Sequence, residues 1–516
     1  MPNFFRRRSN RADDVHRIAP IVALGLFATT ALHCEAPDAT PPGGTADSST
    51  TTETQPPAST SDPTTADTTT TGTEPTGTTS QWTAGTESGT ADPPTLDEQL
   101  AELLAAQAIP VAPLSPAPAQ DPALVALGEA LFFDPILSGN MDTACASCHH
   151  PSFGSSDGLS LTLGTGAVGV GPARAEGAHP PFVPRNSQAL FNLGDPSFTA
   201  MFWDGRVEFD ARGELQTPAG PDLLPGLDSA LAAQAMFPVL DRQEMRGDLG
   251  DLTILGGANE LAAFDDGDRP AIWGALMERL GAIDAYVQLF DAAFSEQAFG
   301  TLSFADAANA IAAYESEAFS FPNSAWDDYL RGSLPAISDA AKVGALRFYG
   351  PAGCGECHSG PLLTDHRFHS TGVPQLGPGR GTSAPFDHGR ELVTGDPQDR
   401  FGFRTPSLRN VEVSAPYMHD GALVDFERAL VHYASPTTSI EIFDSSGLLP
   451  ELAETVQQSP EHIEEIVGTL SRDLVVRPSF VGLSNLREFL ETLTDPGVFA
   501  LEDVRPASVP SGLPVP

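Results

Sequence analysis

The sequence carries a single lysine, Lys342, in 516 residues, and neither lysine nor arginine occurs from Ile18 to Ala173. With 68 acidic against 27 basic residues, the formal charge is −41. That balance argues against nucleic acid and anionic lipid as partners, and it reads first as a solubility device. Cysteine is scarce as well, at five, and four of the five sit in two short motifs, so nothing is left for a disulfide framework. Strand-period patterns are few, which points to a mainly α chain. The strongest apolar run, Ile18 to Leu32, is too short and too soon followed by polar sequence to be a convincing membrane span.

That run has another reading. Arg6, Arg7, Arg8, Arg11 and Arg17 precede or flank it, which gives the basic and apolar regions of an export signal. It ends at Ala31-Leu32-His33-Cys34, which resembles a bacterial lipoprotein cleavage site with Cys34 as the lipidated residue. His33 stands where small residues are usual, so ordinary signal cleavage nearby stays open. From Glu35 to about Thr95 the chain is Thr, Ser, Pro, Gly, Asp and Glu with almost nothing apolar. Such a stretch cannot bury enough surface to offset chain entropy and is expected to be a disordered tether. Residues 1–34 are therefore read as a signal and 35–95 as a linker, with the mature protein in the periplasm or outer cell envelope.

The chemistry lies in two pentapeptides: CASCH at Cys145, Cys148 and His149, and CGECH at Cys354, Cys357 and His358. In C-x-x-C-H the two thiols add across the vinyl groups of a haem, and the next histidine ligates its iron. A zinc site would need Cys/His pairs that converge, and a thioredoxin-like pair needs no histidine in that place. Two copies point to two covalently bound haem c groups, whose attachment outside the cytoplasm agrees with export.

Helix-period patterns frame both motifs. Leu96, Leu100, Leu103 and Leu104 suggest a short helix, and Pro122 to Phe133 an amphipathic one just before CASCH. Ser338 to Tyr349, with Ser338 as N-cap, repeats the plan before CGECH. Ile272 to Phe294 and Phe304 to Phe319 also carry helical spacing. A last helix, Ser479 to Leu493, is expected to pack back on the first haem domain. The expected partition is 96–332 for a first haem c domain, 333–445 for a second, and 446–516 for a C-terminal extension packing on the first.

Several stretches together resemble the bacterial di-haem cytochrome c peroxidase and MauG family. LGEALFFDPILSGN precedes the first haem motif, and PRNSQALFN, FWDGR and QAMFPVLDRQEM follow it. GPLLTDHRFHSTGVP, FRTPSLRNVEVSAPYMHDG and ALVHY come after the second, in the family's order. The resemblance implies two cytochrome c-like helical domains and peroxide chemistry at the first haem. His149 would be that haem's proximal ligand. Glu244 matches the family's distal glutamate, which would shift a proton between the two peroxide oxygens; a solvated glutamate beside Arg242 and Arg246 is the plainer alternative. Gln234 and Pro238 would line the same pocket, with Gln234 as a hydrogen-bond partner. Trp203 matches the tryptophan that passes electrons between the haems. Asn186, with the backbone carbonyls of Ser414 and Pro416, matches a calcium site.

Two departures bear on function. Where peroxidase members carry a histidine that plugs the open iron face, SLTLGTG places Thr165, and His179 lies well past that point. An open first haem is therefore expected. At the second haem, the position of the peroxidases' methionine ligand falls on Tyr433, the MauG-type ligand; His432 and His419 are close, and Met418 is near in sequence only. The long insert Val207 to Ala230 has no assigned chemistry. The resemblance thus implies a peroxidase that takes electrons from a small cytochrome c or cupredoxin, or else a MauG-like oxidase acting on residues of a partner protein. A homodimer is compatible with either.

Overall fold

A computed structural model describes residues 93–174, 182–471, 474 and 482–516. The signal segment, Cys34, nearly all of the tether and His179 lie outside the described residues. The chain folds as short helices joined by long, well-packed loops, with few strands.

Helix α1 (Leu96–Ala105) starts at a capping box between Thr95 and Glu98. Helix α2 (Pro122–Phe133) starts at Asp121, whose carboxylate accepts from Ala123 N, with proline at the first helical position. The turn α3 (Cys145–Cys148) holds the first cysteine pair. Then come α4 (Ala230–Ala235), α5 (Arg269–Gly281), α6 (Asp284–Ala293) and α7 (Phe304–Ala318). The stretch from Ile272 to Phe294 is two helices rather than one. It breaks after Gly281, where an added Cβ would lie 2.6 Å from the Phe299 ring, and α6 restarts with Asp284 in its first turn. Helices α2, α4, α5, α6 and α7 bury their apolar faces in one core. Ala307, Ala308 and Ala310 make the near face of α7 small enough for α2 to lie against it.

The second core has a different membership from the one expected. It takes Leu100 of α1, Trp326 and Tyr329 of α8 (Ala325–Leu330), and Ala341, Ala345 and Phe348 of α9 (Asp339–Phe348). Thus α1 and α8, placed in the first domain by sequence order, pack with the second motif. Lys342 draws α1 in, its ammonium 2.8 Å from Asp97. After α9 the chain adds α10 (Glu391–Thr394), α11 (Phe426–Ala434), α12 (Pro436–Glu441), α13 (Pro450–Ala453), α14 (Pro460–Gly468) and α15 (Leu483–Glu491). Helix α15 does not pack on the first core. Its Leu486, Phe489 and Leu490 enter the second, because Gly344 on α9 offers a groove against Asn485 and Phe489. Only the segment beyond it returns, through Val498, Leu501, Val509 and Leu513.

Two small antiparallel sheets complete the frame. Strands β1 (Ala200–Met201), β2 (Val207–Phe209) and β3 (Leu215–Gln216) pair with Ala200 opposite Glu208 and Glu208 opposite Gln216. The insert from Val207 thus begins as a β2–β3 hairpin. Strands β4 (Phe368–His369) and β5 (Phe403–Arg404) pair beside the second motif. The tight β1–β2 connection carries Phe202, Trp203 and Asp204, with Gly205 at φ +66°, where a Cβ would strike Phe368 and Arg390.

Close approach of α2 to α7 depends on Gly128, whose added Cβ would sit 1.9 Å from Ala310 O. Gly274, exposed in the middle of α5, has nothing within 4 Å. Gly128→Ala should therefore destabilise the fold by about 1–3 kcal/mol through overpacking, while Gly274→Ala should stabilise it by about 0.5–1 kcal/mol through backbone entropy. Thermal unfolding of both variants checks the opposite signs.

Candidate active site

Each C-x-x-C-H motif opens onto its own cavity. The first is lined by Cys145, Cys148, His149, Gln234, Pro238 and Glu244 among others. The local sequence explains Glu244. Asp241 caps a π-helical turn over Arg242–Arg246, accepting from Gln243 N at 2.9 Å and Glu244 N at 3.2 Å. The loop at Gly164 and Thr165 braces that turn: a Cβ on Gly164 would lie 1.6 Å from Gln243 O. Thr165 N donates to Gln243 O at 3.2 Å, and its hydroxyl donates to Arg242 O at 3.1 Å. Thr165 is thus spent on the backbone behind Glu244 and is not among the residues lining the cavity. Among the described residues lining it, the only histidine is His149.

Glu244 is not the solvated glutamate that the sequence alone left open. Burial, and after it the Asp241 carboxylate, push its carboxyl up to about 7 against the pull of Arg206, Arg380 and Arg185. The Oε1 of Gln234 is buried without a hydrogen-bond partner.

The second cavity is lined by Cys354, Cys357, His358, Tyr433, Met418 and His419, with Asn186, Ser414 and Pro416 also on its wall. Burial raises the Tyr433 phenol above its ordinary value. His432, its neighbour, is fully engaged, with Nε2 2.8 Å from Thr371 O and Nδ1 3.0 Å from Ser439 Oγ. His419 stacks on Phe403 at 3.6 Å between ring centroids, and burial lowers its pKa to about 3. Met418, near in sequence only by the earlier reading, does line this cavity; a left-handed backbone at φ +77° turns it there. Asn186 donates its amide to Leu159 O at 2.8 Å, which leaves its Oδ1 for any cation.

Three residues, Asn186, Gln188 and Trp203, line both cavities. Trp203 is held from both sides: its indole donates to Asn186 O at 3.1 Å, and its own carbonyl accepts from Arg404 N at 2.8 Å. Beneath it Arg185 grips Asp387 with two hydrogen bonds, 2.6 and 2.9 Å, and lies 2.6 Å from Asp204. Burial would raise the Asp204 carboxyl, but Arg185 and Arg206 outweigh it and hold it below the usual range.

The residues fit a haem in each cavity. The Nδ1 of His149 faces Ser155 O at 3.3 Å and that of His358 faces Leu363 O at 3.1 Å, which leaves each Nε2 as the nitrogen for an iron. Burial pushes the Cys148 and Cys354 thiols up to about 12, an environment suited to neutral thioether sulfur rather than metal-bound thiolate. Cys357, Asp365 and His369 come together as a donor set, but Asp365 and His369 already pair with each other at 2.8 Å. A porphyrin also brings two carboxylates. In the second cavity the Nη1 of Arg404 is buried without a hydrogen-bond partner, and in the first the guanidinium of Arg380 makes no hydrogen bond or ion pair among the described residues.

Some lining residues carry no motif. Glu315 of α7 is buried in the first cavity, its carboxyl pushed up to about 8 by burial. Its signal was an acid amid the small apolar residues of α7. Arg185 and Arg380 meet the first cavity from distant parts of the chain and had no sequence signal as a pair.

The di-haem cytochrome c peroxidase profile matches residues 122–334. The methylamine utilization protein MauG of Methylorubrum extorquens is 34% identical over 60% of this chain and 69% of its own length. The cytochrome-c peroxidase IdrP2 of a Pseudomonas species is 27% identical over 71% of this chain and 86% of its own. Among solved structures, a MauG-like protein associated with microbial copper homeostasis superposes with a TM-score of 0.50 at 25% identity, over 75% of this chain and 94% of that one. With two haem-binding cavities joined by one tryptophan, the chain belongs to the di-haem cytochrome c peroxidase and MauG family of oxidoreductases.

Proposed function

We propose that the first cavity reduces hydrogen peroxide to water, with electrons arriving from the second cavity through Trp203. The observation that carries this is the shared wall: Trp203 touches both cavities, while a half-buried carboxyl, Glu244, stands in the first. Two electrons and two protons convert one peroxide into two waters. The haems, when bound, would supply an iron able to carry electrons at each motif. The chain supplies the rest. Glu244 takes the proton from one peroxide oxygen and returns it to the other, and a carboxyl poised near 7 can do both. The unpartnered Oε1 of Gln234 accepts a hydrogen bond from peroxide. His149 and His358 would hold the irons through Nε2, their rings fixed by the backbone carbonyls at Nδ1.

A second reading is favoured by the linings themselves. Among the described residues lining the first cavity His149 is the one histidine, and Tyr433 lines the second. A phenolate ligand donates charge and favours the oxidised iron. Such a protein would react with peroxide without prior reduction and could withdraw electrons from residues of a partner protein, as a MauG-like oxidase.

The reductant in the first reading is a small cytochrome c or cupredoxin. Calcium would sit between Asn186 Oδ1 and the carbonyls of Ser414 and Pro416, hard oxygen donors suited to it. Export, with a lipid at Cys34 and the 35–95 tether, would hold the body at a membrane surface in the periplasm.

Glu244→Gln should retain both haems and cut peroxide turnover by about a hundred-fold or more. Wild-type turnover should fall as pH drops below about 7, where Glu244 takes up a proton, and the variant should lose that limb. Equal rates and equal pH profiles would remove Glu244 from the mechanism. Fully oxidised protein mixed with one equivalent of peroxide should change its haem spectrum at once, and Tyr433→Met should shift the second haem toward a methionine-type absorption. Inert oxidised protein would sink the MauG-like reading and leave the peroxidase one standing.

A further inference from the structure

The turn that carries Glu244 runs directly into an exposed loop, and that loop is apolar at its tip. Leu249, Leu252, Ile254 and Leu255 are 80%, 63%, 50% and 73% exposed. Of the eleven large apolar residues exposed among the described residues, these four fall within seven positions, while the others are scattered. The loop is built rather than frayed. Ile254 N donates to Asn140 O at 2.9 Å, Thr253 N to Gly257 O at 2.8 Å and Asn259 N to Asp251 O at 3.1 Å. Asn140 and Asp248 N both reach the Asp251 carboxylate, at 3.2 and 2.9 Å. A rigid apolar tip loses little freedom on binding, and exposed apolar clusters with polar rims mark docking surfaces.

The rim decides the occupant. Between Gly247 and Asp268 there are six carboxylates, Asp248, Asp251, Glu260, Asp265, Asp266 and Asp268, and no lysine or arginine. The arginines that flank this stretch, Arg242, Arg246, Arg269 and Arg279, are already paired with Asp266, Asp222 or Glu260. The side chains of Asp248 and Asp266 remain 78% and 72% exposed. A second copy would bring the same carboxylates against these, and an anionic membrane would be repelled likewise. We propose that this tip docks a basic protein through an apolar patch ringed by lysine or arginine, beside the first cavity. The proposal deepens the reading of a protein substrate, since a reductant would deliver its electrons at the second cavity, and rests on that reading for the partner's role, though not for the surface itself.

The test uses the full-length, haem-loaded protein and, as probe, a basic mitochondrial cytochrome c, with binding measured calorimetrically at low and high salt. The wild type should bind saturably and lose affinity with salt. The triple variant Leu249→Ser, Leu252→Ser, Leu255→Ser should bind at least about tenfold more weakly, and Asp248→Lys should weaken binding and flatten its salt dependence. Haem content and the donor-free reaction with peroxide should match wild type in both variants, which shows that the body is intact. Unchanged affinity in the triple variant, or no saturable binding by wild type, overturns the proposal. So does a wild-type dimer in sedimentation, or binding to neutral phosphatidylcholine vesicles, that the triple variant abolishes. Loss of peroxide chemistry with binding preserved would instead remove the enzymatic reading and leave the surface.

Discussion

Arg185 lies at the join of the body. One guanidinium holds Asp387 from the second half and Asp204 from the β1–β2 connection of the first, all of them almost fully buried. Three buried charges are tolerable only because they satisfy one another, and removing one partner from such a set commonly costs about 3–5 kcal/mol. The cost here would be felt at Trp203, next to Asp204. That tryptophan is held by its indole, which donates to Asn186 O, and by its backbone carbonyl, which accepts from Arg404 N. Pi-stacking of Arg206 over Phe202, 3.4 Å above the ring, and the paired bonds from Arg390 to Glu208 fix the connection at its other end.

The catalytic turn follows the same logic with opposite sign. Glu244 is left without a neutralising partner of its own: the three arginines that influence it are at a distance, and burial prevails. Its backbone is over-determined by Asp241, Thr165, Gly164 and Asn259, whose amide donates to Arg246 O at 2.7 Å. A π-helical turn is uncommon and survives where surrounding bonds hold it, which is typical of functional positions.

The parts governed by local rules were readable from the residues. Helix α2 starts at its proline and ends before Asp134, and α9 starts after Ser338, because caps and apolar spacing act within a few positions. The two haem motifs announce themselves because three atoms must meet one porphyrin from a single turn. What stayed hidden depends on pairs far apart in sequence. Nothing local says that α1 belongs with α9 or that α15 would choose Gly344 over the first core. Arg185 and Asp387, or Trp203 and Arg404, are each separated by about two hundred residues, and no period or motif links them. Thr165 shows a subtler limit. Its place was set by alignment to a missing histidine, yet its hydroxyl is engaged by the backbone of the Glu244 turn. Met418 was misjudged because a left-handed residue redirects a side chain in a way spacing cannot express.

The solitary Lys342 has a practical meaning of its own. It is 6% exposed, clamped to Asp97 at 2.8 Å and close to Asp339 at 3.7 Å, with the ring of Tyr329 beside it. Amine-selective reagents therefore find almost no primary amine on the folded body. A lysine introduced at any surface position of the body becomes its one accessible side-chain amine, so a crosslink or label placed there is set apart from every site but the chain's own α-amine.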